Sequence, residues 1–529
     1  MGDGTDHTNG LSLDLMLAVT GMLRSEDALA IQRMQWGEVR EECIDLLDNW
    51  ADEYPETRDA AGIVAAREAL ILGDPDECSR RMAQIDFSKS DDPGLILLAV
   101  SIFEALDSGP DRAMAAELLA QLQEMKDLDE ETLMMLATRY WVFGRSEECL
   151  GILESGGLTE SDNAKVKVDA TLLGMLASIE DRSERIDSLR SIAEDPAAGS
   201  LARERGEVVS TVFDRLNEGR LTSIEFEKQI TTLNKWLGDS LLLCVLGDLA
   251  TTGGLASTAV KCYTAANESV IGNSTPVTLR LISALSGVGD RVGAFEQARR
   301  LTGRNNSIQA AIVLLRAWLA LEESGRSASE VDVRLGNAGD PLDLVNDIER
   351  EVEKANVSLD SLVPLRCRAK LLRGAREEVR EEINLALGEL TSEASLVGLL
   401  QVANRNRLIL DDTRVDSLLS SETGLGLERS LINYRVARLM SEQGVEAATR
   451  FLSARAESDA GGFAGRKLSL ILFLNGDKDD ADRAEVTDAL LQFELDGFEI
   501  EEILNGVVAQ GDAESSGKIF NYLIDRFGQ

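Results

Sequence analysis

A single histidine, His7, serves a chain of 529 residues, and it lies in the polar opening MGDGTDHTNG. The body therefore has no imidazole for a nucleophilic triad, a two-histidine metal site or histidine acid–base work. Six cysteines (Cys43, Cys78, Cys149, Cys244, Cys262, Cys367) are scattered without a CxxC pair. That spacing offers no zinc or redox motif and, in so long a chain, no disulfide framework. Proline numbers only 8 and aromatics make up 4%. No GxxxxGK[ST] loop occurs, and Gly287-Val288-Gly289 followed by Gly293 lacks the GxGxxG spacing of a dinucleotide fold. Long apolar runs are missing too. Ala310–Leu321 is broken by Arg316, and Leu468–Leu474 is short, so neither spans a bilayer. Asp14 interrupts the first apolar run, and no positive charge precedes it, which argues against a signal peptide. A cytoplasmic, non-enzymatic protein without cofactor or metal is the expectation.

What is present is helix-forming and acidic. Hydrophobic residues make up 44% and the formal net charge is -39. A surface this negative repels phosphate backbones and anionic lipid, so neither nucleic acid nor membrane is an expected partner. Lysine accounts for only 12 of the 54 basic residues, a balance that suits life at high salt. The charge is uneven. Residues 1–130 carry 29 acids against 10 bases, whereas residues 276–380 carry 15 against 16.

Glycines ending an apolar helical run recur at Gly37, Gly73, Gly109, Gly144, Gly219, Gly254, Gly289, Gly325, Gly374, Gly444, Gly476 and Gly511. Most intervals are 35 or 36 residues; two long ones hide turns without glycine, near Glu180–Asp181 and Leu410–Asp411. A helix that reverses onto its neighbour ends best on a residue with positive φ, which glycine adopts without a Cβ penalty. Five places after the turn stand small residues (Cys78, Cys149, Ala259, Ala294, Ala481, Ser516), and four further on a bulky one, as at Met82, Leu153, Tyr263 and Phe520. Small residues let the second helix pack closely, so the cysteines among them read as packing choices.

Leu246-Gly247, Ala250, Gly254, Ala259, Tyr263 and Ala266 reproduce the spacing of the tetratricopeptide repeat, which this chain resembles. Leu136-Ala137, Tyr140, Gly144, Cys149 and Leu153 form a second match, and Tyr54-Pro55 closes the first repeat as the family's second helix commonly does. The resemblance implies an all-α solenoid of about fourteen antiparallel helix pairs in a right-handed superhelix. The expected layout is a disordered start over 1–10, repeats over 11–325, a loop and break over 326–340, and repeats over 341–529 with a capping end. Pro341 is placed to start a helix running to about Ala355.

Such an array implies a scaffold that binds a protein or peptide on its concave face; a ligand-responsive regulatory module or a subunit of a larger assembly are the alternatives. First-helix residues 13, 10, 6 and 3 places before the turn line that face. In the early repeats they form an apolar ridge that includes Ile63, Leu70, Phe103, Leu106, Met134 and Trp141. Either this ridge is a partner groove or curvature buries it as core. Arg280, Arg291, Arg299, Arg300 and Arg304 meet only Asp290 and Glu296 nearby in sequence. They form either a docking patch, open to an acidic partner or another copy, or pairs with acids of neighbouring repeats. The clamp by which some family members grip a terminal carboxylate is missing, because Met134, Thr138, Cys244, Asp248, Leu279 and Ser283 occupy its places. Gly476–Asp482 lacks the ligand spacing of a calcium loop.

Overall fold

The computed structural model describes residues 37–456 except 91, 107–108, 179–181, 218–221, 223–225, 227–238, 268–273, 305–306, 329–339, 355–358, 390–391 and 422, and beyond them 464, 465, 467 and 468. Among the described residues there are 22 α-helices and no strand. The first are α1 (Gly37–Glu53), α2 (Arg58–Leu72), α3 (Pro75–Met82), α4 (Pro93–Leu106) and α5 (Gly109–Glu124). Then come α6 (Glu130–Val142), α7 (Ser146–Ser155), α8 (Ala164–Ala177), α9 (Arg182–Glu194) and α10 (Ser200–Asn217). Next are α11 (Ser240–Thr252), α12 (Ala256–Asn267), α13 (Thr275–Gly287), α14 (Arg291–Arg304), α15 (Ile308–Glu323) and α16 (Pro341–Lys354). The last are α17 (Val363–Leu372), α18 (Arg376–Glu389), α19 (Glu393–Arg405), α20 (Asp412–Leu419), α21 (Leu425–Gln443) and α22 (Val445–Ala456). The described residues form two compact units. One draws on Met1–Asp214, Leu237–Val245 and Ala265–Val277, the other on Arg215–Trp236, Leu246–Thr264 and Thr278–Gln529.

The turn inside each pair follows one plan. At Gly73 (φ 87) the N–H donates to the carbonyl of Leu70 at 3.0 Å, and Asp74 N–H donates to Ala69 at 3.0 Å. This crossed pair satisfies two carbonyls that the end of a helix leaves orphaned. Asp74 then caps the next helix by accepting from Glu77 N–H at 3.0 Å. The same crossed pair recurs at Gly144, Gly254, Gly289 and Gly374, all with positive φ.

Three expected turns differ. Gly37 and Gly109 are the first residues of α1 and α5, and the residues just before each lie outside the described ones; after Gly109, Pro110 supplies the fixed φ that suits a helix start. The glycine-less turn expected at Leu410–Asp411 lies earlier, at Arg407 (φ 50). There Arg407 N–H donates to Asn404 at 3.0 Å and Leu408 N–H to Ala403 at 2.8 Å. An arginine thus holds the conformation glycine holds elsewhere. Positions 180–181, Gly219, Gly476–Asp482, Gly511, Ser516, Phe520 and residues 1–10 lie outside the described residues, as does most of 326–340. Pro341 does open α16.

Within each unit the first helix of one pair packs on the first helix of the next: α2 on α4, α4 on α6 and α6 on α8 in one, α15 on α17, α17 on α19 and α19 on α21 in the other. First helices also pack on their own second helices, as α6 does on α7 and α17 on α18. A helix with neighbours on several sides buries most of its circumference, which explains α8, where nine of fourteen residues are buried. By contrast α16 buries one stripe, Val345, Ile348 and Val352, against Leu315 and Leu365.

A small residue is also required in the first helix of a pair, seven places before the turn, for a direct geometric reason. A Cβ added at Gly247 would lie 2.5 Å from the Tyr263 ring, so that ring fills the space a side chain would need. Ala66 and Ala137 are wholly buried in the corresponding slots of other pairs, as are Cys78, Cys149 and Ala259 five places after their turns. Each unit is therefore an all-α array of stacked helix pairs.

Candidate functional site

The first-helix face is the surface on which residues of successive repeats meet. In the first unit it is closed. Trp141 is 0% exposed, and Ile63, Phe103 and Met134 are buried. Leu70 and Leu106 are half-buried. Phe103 meets Phe87 edge-on with centroids 5.8 Å apart. As placed, four of the six ridge residues are core, because each first helix presses its neighbour and the apolar stripe falls in the seam.

The polar residues of this face are closed as well. Arg139 on α6 donates to Glu104 on α4 at 2.5 Å. Arg205 on α10 donates to Asp169 on α8 at 2.5 Å and to Asp239 at 3.0 Å. Burial pushes the Glu104 and Asp239 carboxyls above their ordinary range, against the pull of Arg139 and Arg205. These pairs span 35, 36 and 34 residues, one repeat length. Arg81–Asp48, 33 residues apart, adds a bidentate example. The planar guanidinium fork suits such a rung better than an ammonium. A structural reason for arginine's excess over lysine is thus built into the repeat.

In the second unit the network around α11 is also satisfied. Asp248 accepts from Tyr263 Oη at 2.6 Å and from Arg280 Nε at 2.8 Å. Burial, with Asp248 beside it, raises the Tyr263 hydroxyl well above the usual phenol range. Arg280, one of the five clustered arginines, therefore pairs with an acid of the preceding repeat. Arg299 is half-buried and Arg300 exposed; the Arg304 side chain lies outside the described residues.

Between α15, α17 and α19 the face opens into a groove of about 770 Å³. Its floor is tight: a Cβ on Gly398 would lie 3.1 Å from Pro364, so α17 and α19 approach closely there. Gln401 and Arg405 stand on α19, Arg368 on α17, Arg316 on α15, and Arg291 opens α14; all line the groove. Its carboxylates, Glu322 and Glu323, are both engaged. Glu323 takes the Arg368 fork at 2.7 and 2.9 Å. Glu322 accepts from Trp318 Nε1 at 3.2 Å and from Ala328 N–H at 3.0 Å. Arg291 and Arg316 are exposed and form no ion pair among the described residues. Four guanidinium groups thus meet two committed carboxylates in a chain whose net charge is -39.

Sequence reasoning singled out Arg291 but missed Arg316, Arg368 and Arg405. Their positions in α15, α17 and α19 were the only signal available. Thiol chemistry has little support at the buried cysteines. Burial pushes Cys78, Cys149 and Cys367 up to about 12, so they stay protonated near neutrality. No group of three or more potential ligands is placed to hold a metal among the described residues. No helix among them is long and apolar enough to cross a membrane.

The turns, the Tyr263–Gly247 packing and the layer of first helices together decide the architecture. It is a tetratricopeptide-like helical repeat array. No protein-family model matches the chain, and no curated protein does. Solved structures give distant likenesses. Human IFIT1, in its dimer with PPP-AAAA, is 11% identical over 91% of this chain and 94% of that one, with a TM-score of 0.29. A structure of the APC/C hetero-tetramer Cut9-Hcn1 is 10% identical over 96% and 98%, with a TM-score of 0.28. Naa15/Naa10 bound to HypK-THB gives 12% identity over 88% and 75%, with a TM-score of 0.24. At such scores the architecture rests on the chain's own geometry.

Proposed function

We propose that this chain is a non-enzymatic protein-interaction scaffold that receives a segment of a partner protein in the groove between α15, α17 and α19. The groove carries the reading. It is an open volume of about 770 Å³ on the face where successive repeats present side chains, floored where Gly398 meets the Pro364 ring and edged by exposed polar groups. A volume of that size suits a short stretch of chain with a few oriented polar contacts. Stacked pairs also fit the role, since each repeat adds another strip of surface to one continuous face.

The test is affinity purification of the full chain from its source organism, run beside Gln401→Trp, which fills the groove with an indole. Partners recovered with the unaltered chain should be lost with the variant while its thermal unfolding stays the same. An identical set of partners from both would remove the groove from the account.

A further inference from the structure

We propose that the groove's occupant is an acidic, extended segment of a partner protein, its carboxylates taken by Arg291 and Arg316 while Arg368 stays paired with Glu323. This inference rests on the groove being the partner site, and adds the chemistry of what enters it.

Both carboxylates of the groove are already spent, Glu323 on Arg368 and Glu322 on Trp318 and the Ala328 amide. Arg291 and Arg316 form no ion pair among the described residues, and each offers a planar fork that matches a carboxylate with two parallel hydrogen bonds. Residues 276–380 carry 15 acids against 16 bases, while the rest of the chain is strongly acidic. That stretch is near neutral, and the groove lining, with four guanidinium groups against two carboxylates, is a local island of positive charge. At physiological salt, charges about 8 Å apart or more are largely screened from each other. A short acidic segment seated in the groove therefore feels the arginines beside it more than the distant carboxylates.

The same field disfavours a nucleic acid. A phosphate backbone carries its charge along its whole length and must continue past the groove over the acidic surface. A peptide ends its acidic stretch where the groove ends. Serine or lysine in place of its acids would leave the two guanidinium groups unmatched or repelled.

The experiment uses the full chain and labelled short peptides read by fluorescence anisotropy: oligoglutamate, oligoserine and oligolysine, with an oligouridylate alongside. Oligoglutamate should bind, and oligoserine and oligolysine should not. Arg316→Gln and Arg291→Gln should each weaken oligoglutamate by about tenfold, the loss expected for one charge-assisted pair. Arg300→Gln, exposed and outside the groove, should leave it unchanged. Arg316→Glu should transfer the preference to oligolysine. Where Arg316→Glu lowers the helical signal, Arg316→Lys keeps the charge, loses the fork and should bind with intermediate affinity.

Equal binding of oligoserine, equal loss from Arg300→Gln, or oligouridylate binding as tightly as oligoglutamate overturns the proposal. A selection from random peptides separates this from failure of the groove itself. Non-acidic binders lost on Gln401→Trp would sink the acidic chemistry and keep the site. Binders that ignore Gln401→Trp would sink both.

Discussion

The first-helix face of the first unit and that of the second are built from the same repeat and end in opposite states. Around α4, α6 and α8 the face is filled: Phe103 and Trp141 are buried, and Arg139 and Arg205 each donate to an acid one repeat away. Around α15, α17 and α19 the face is hollowed into a groove over a tight floor, and Arg291 and Arg316 form no ion pair among the described residues. Apolar residues on the inner face of a repeat array therefore do not mark a binding site by themselves. Bulky side chains fill the face and become core, whereas a small residue such as Gly398, which lets its helix close on Pro364, carries no side chain to fill the space above that floor.

The largest effect that distinguishes the two faces is on stability. Trp141→Ala removes a fully buried indole and should cost about 3–5 kcal/mol in urea unfolding of the full chain. Arg316→Ala should stay within about 0.5 kcal/mol, as surface changes do. Similar costs for the two variants would mean the faces are not closed and open in the way described.

A second contrast concerns charge. Arg205 is buried between Asp169 and Asp239, and removing it strands both carboxylates. Arg205→Met should cost about 3–5 kcal/mol near neutral pH. Its pH dependence follows from Asp239, whose carboxyl is already raised by burial in the intact protein. Without the guanidinium it rises further, so the folded state holds a proton that the unfolded state releases above about pH 3.9. Stability lost by ionising this group is absent below that value and grows as pH rises through the folded-state value. The deficit of Arg205→Met relative to the unaltered protein should therefore shrink as pH falls from 7 toward 4. A deficit that is constant over that range would show that Asp239 is not the group left stranded.

Much of the fold can be read from local sequence. A positive-φ glycine, a small residue five places on and an aromatic four beyond that all act within one helix pair, so Gly254, Ala259 and Tyr263 announce their own packing. The site cannot be read that way. Whether an arginine is spent or free depends on which acid the next repeat brings opposite it, and that register is tertiary. Arg280 and Arg291 look alike in sequence, yet Arg280 pairs with Asp248 and Arg291 forms no ion pair among the described residues. The apolar ridge left two readings open for the same reason. Helical spacing places Trp141 on a face, but neighbouring helices decide whether that face is covered.

The smallest expected effect lies at the edge of the open groove. Arg407 holds the left-handed conformation that Gly73, Gly144 and Gly374 hold at their turns. For a residue with a Cβ that conformation costs about 1–2 kcal/mol, and glycine would recover it less about 0.5–1 kcal/mol of lost chain entropy. The Arg407 side chain is exposed. What ties the turn down is Arg376, whose guanidinium donates to the backbone carbonyls of Asn406 and Arg407, and those contacts survive the substitution. Arg407→Gly should therefore stabilise the chain by roughly 0.5–1 kcal/mol in urea unfolding, where Gly374→Ala should destabilise it. Because Arg405 and Asn406 line the groove immediately before the turn, the same variant also probes the site. An unchanged affinity for oligoglutamate would make the turn a mere connector. A weakened one would mean that the stiffer backbone of an arginine turn holds the groove wall in place, and would place part of the difference between the two faces in that one residue.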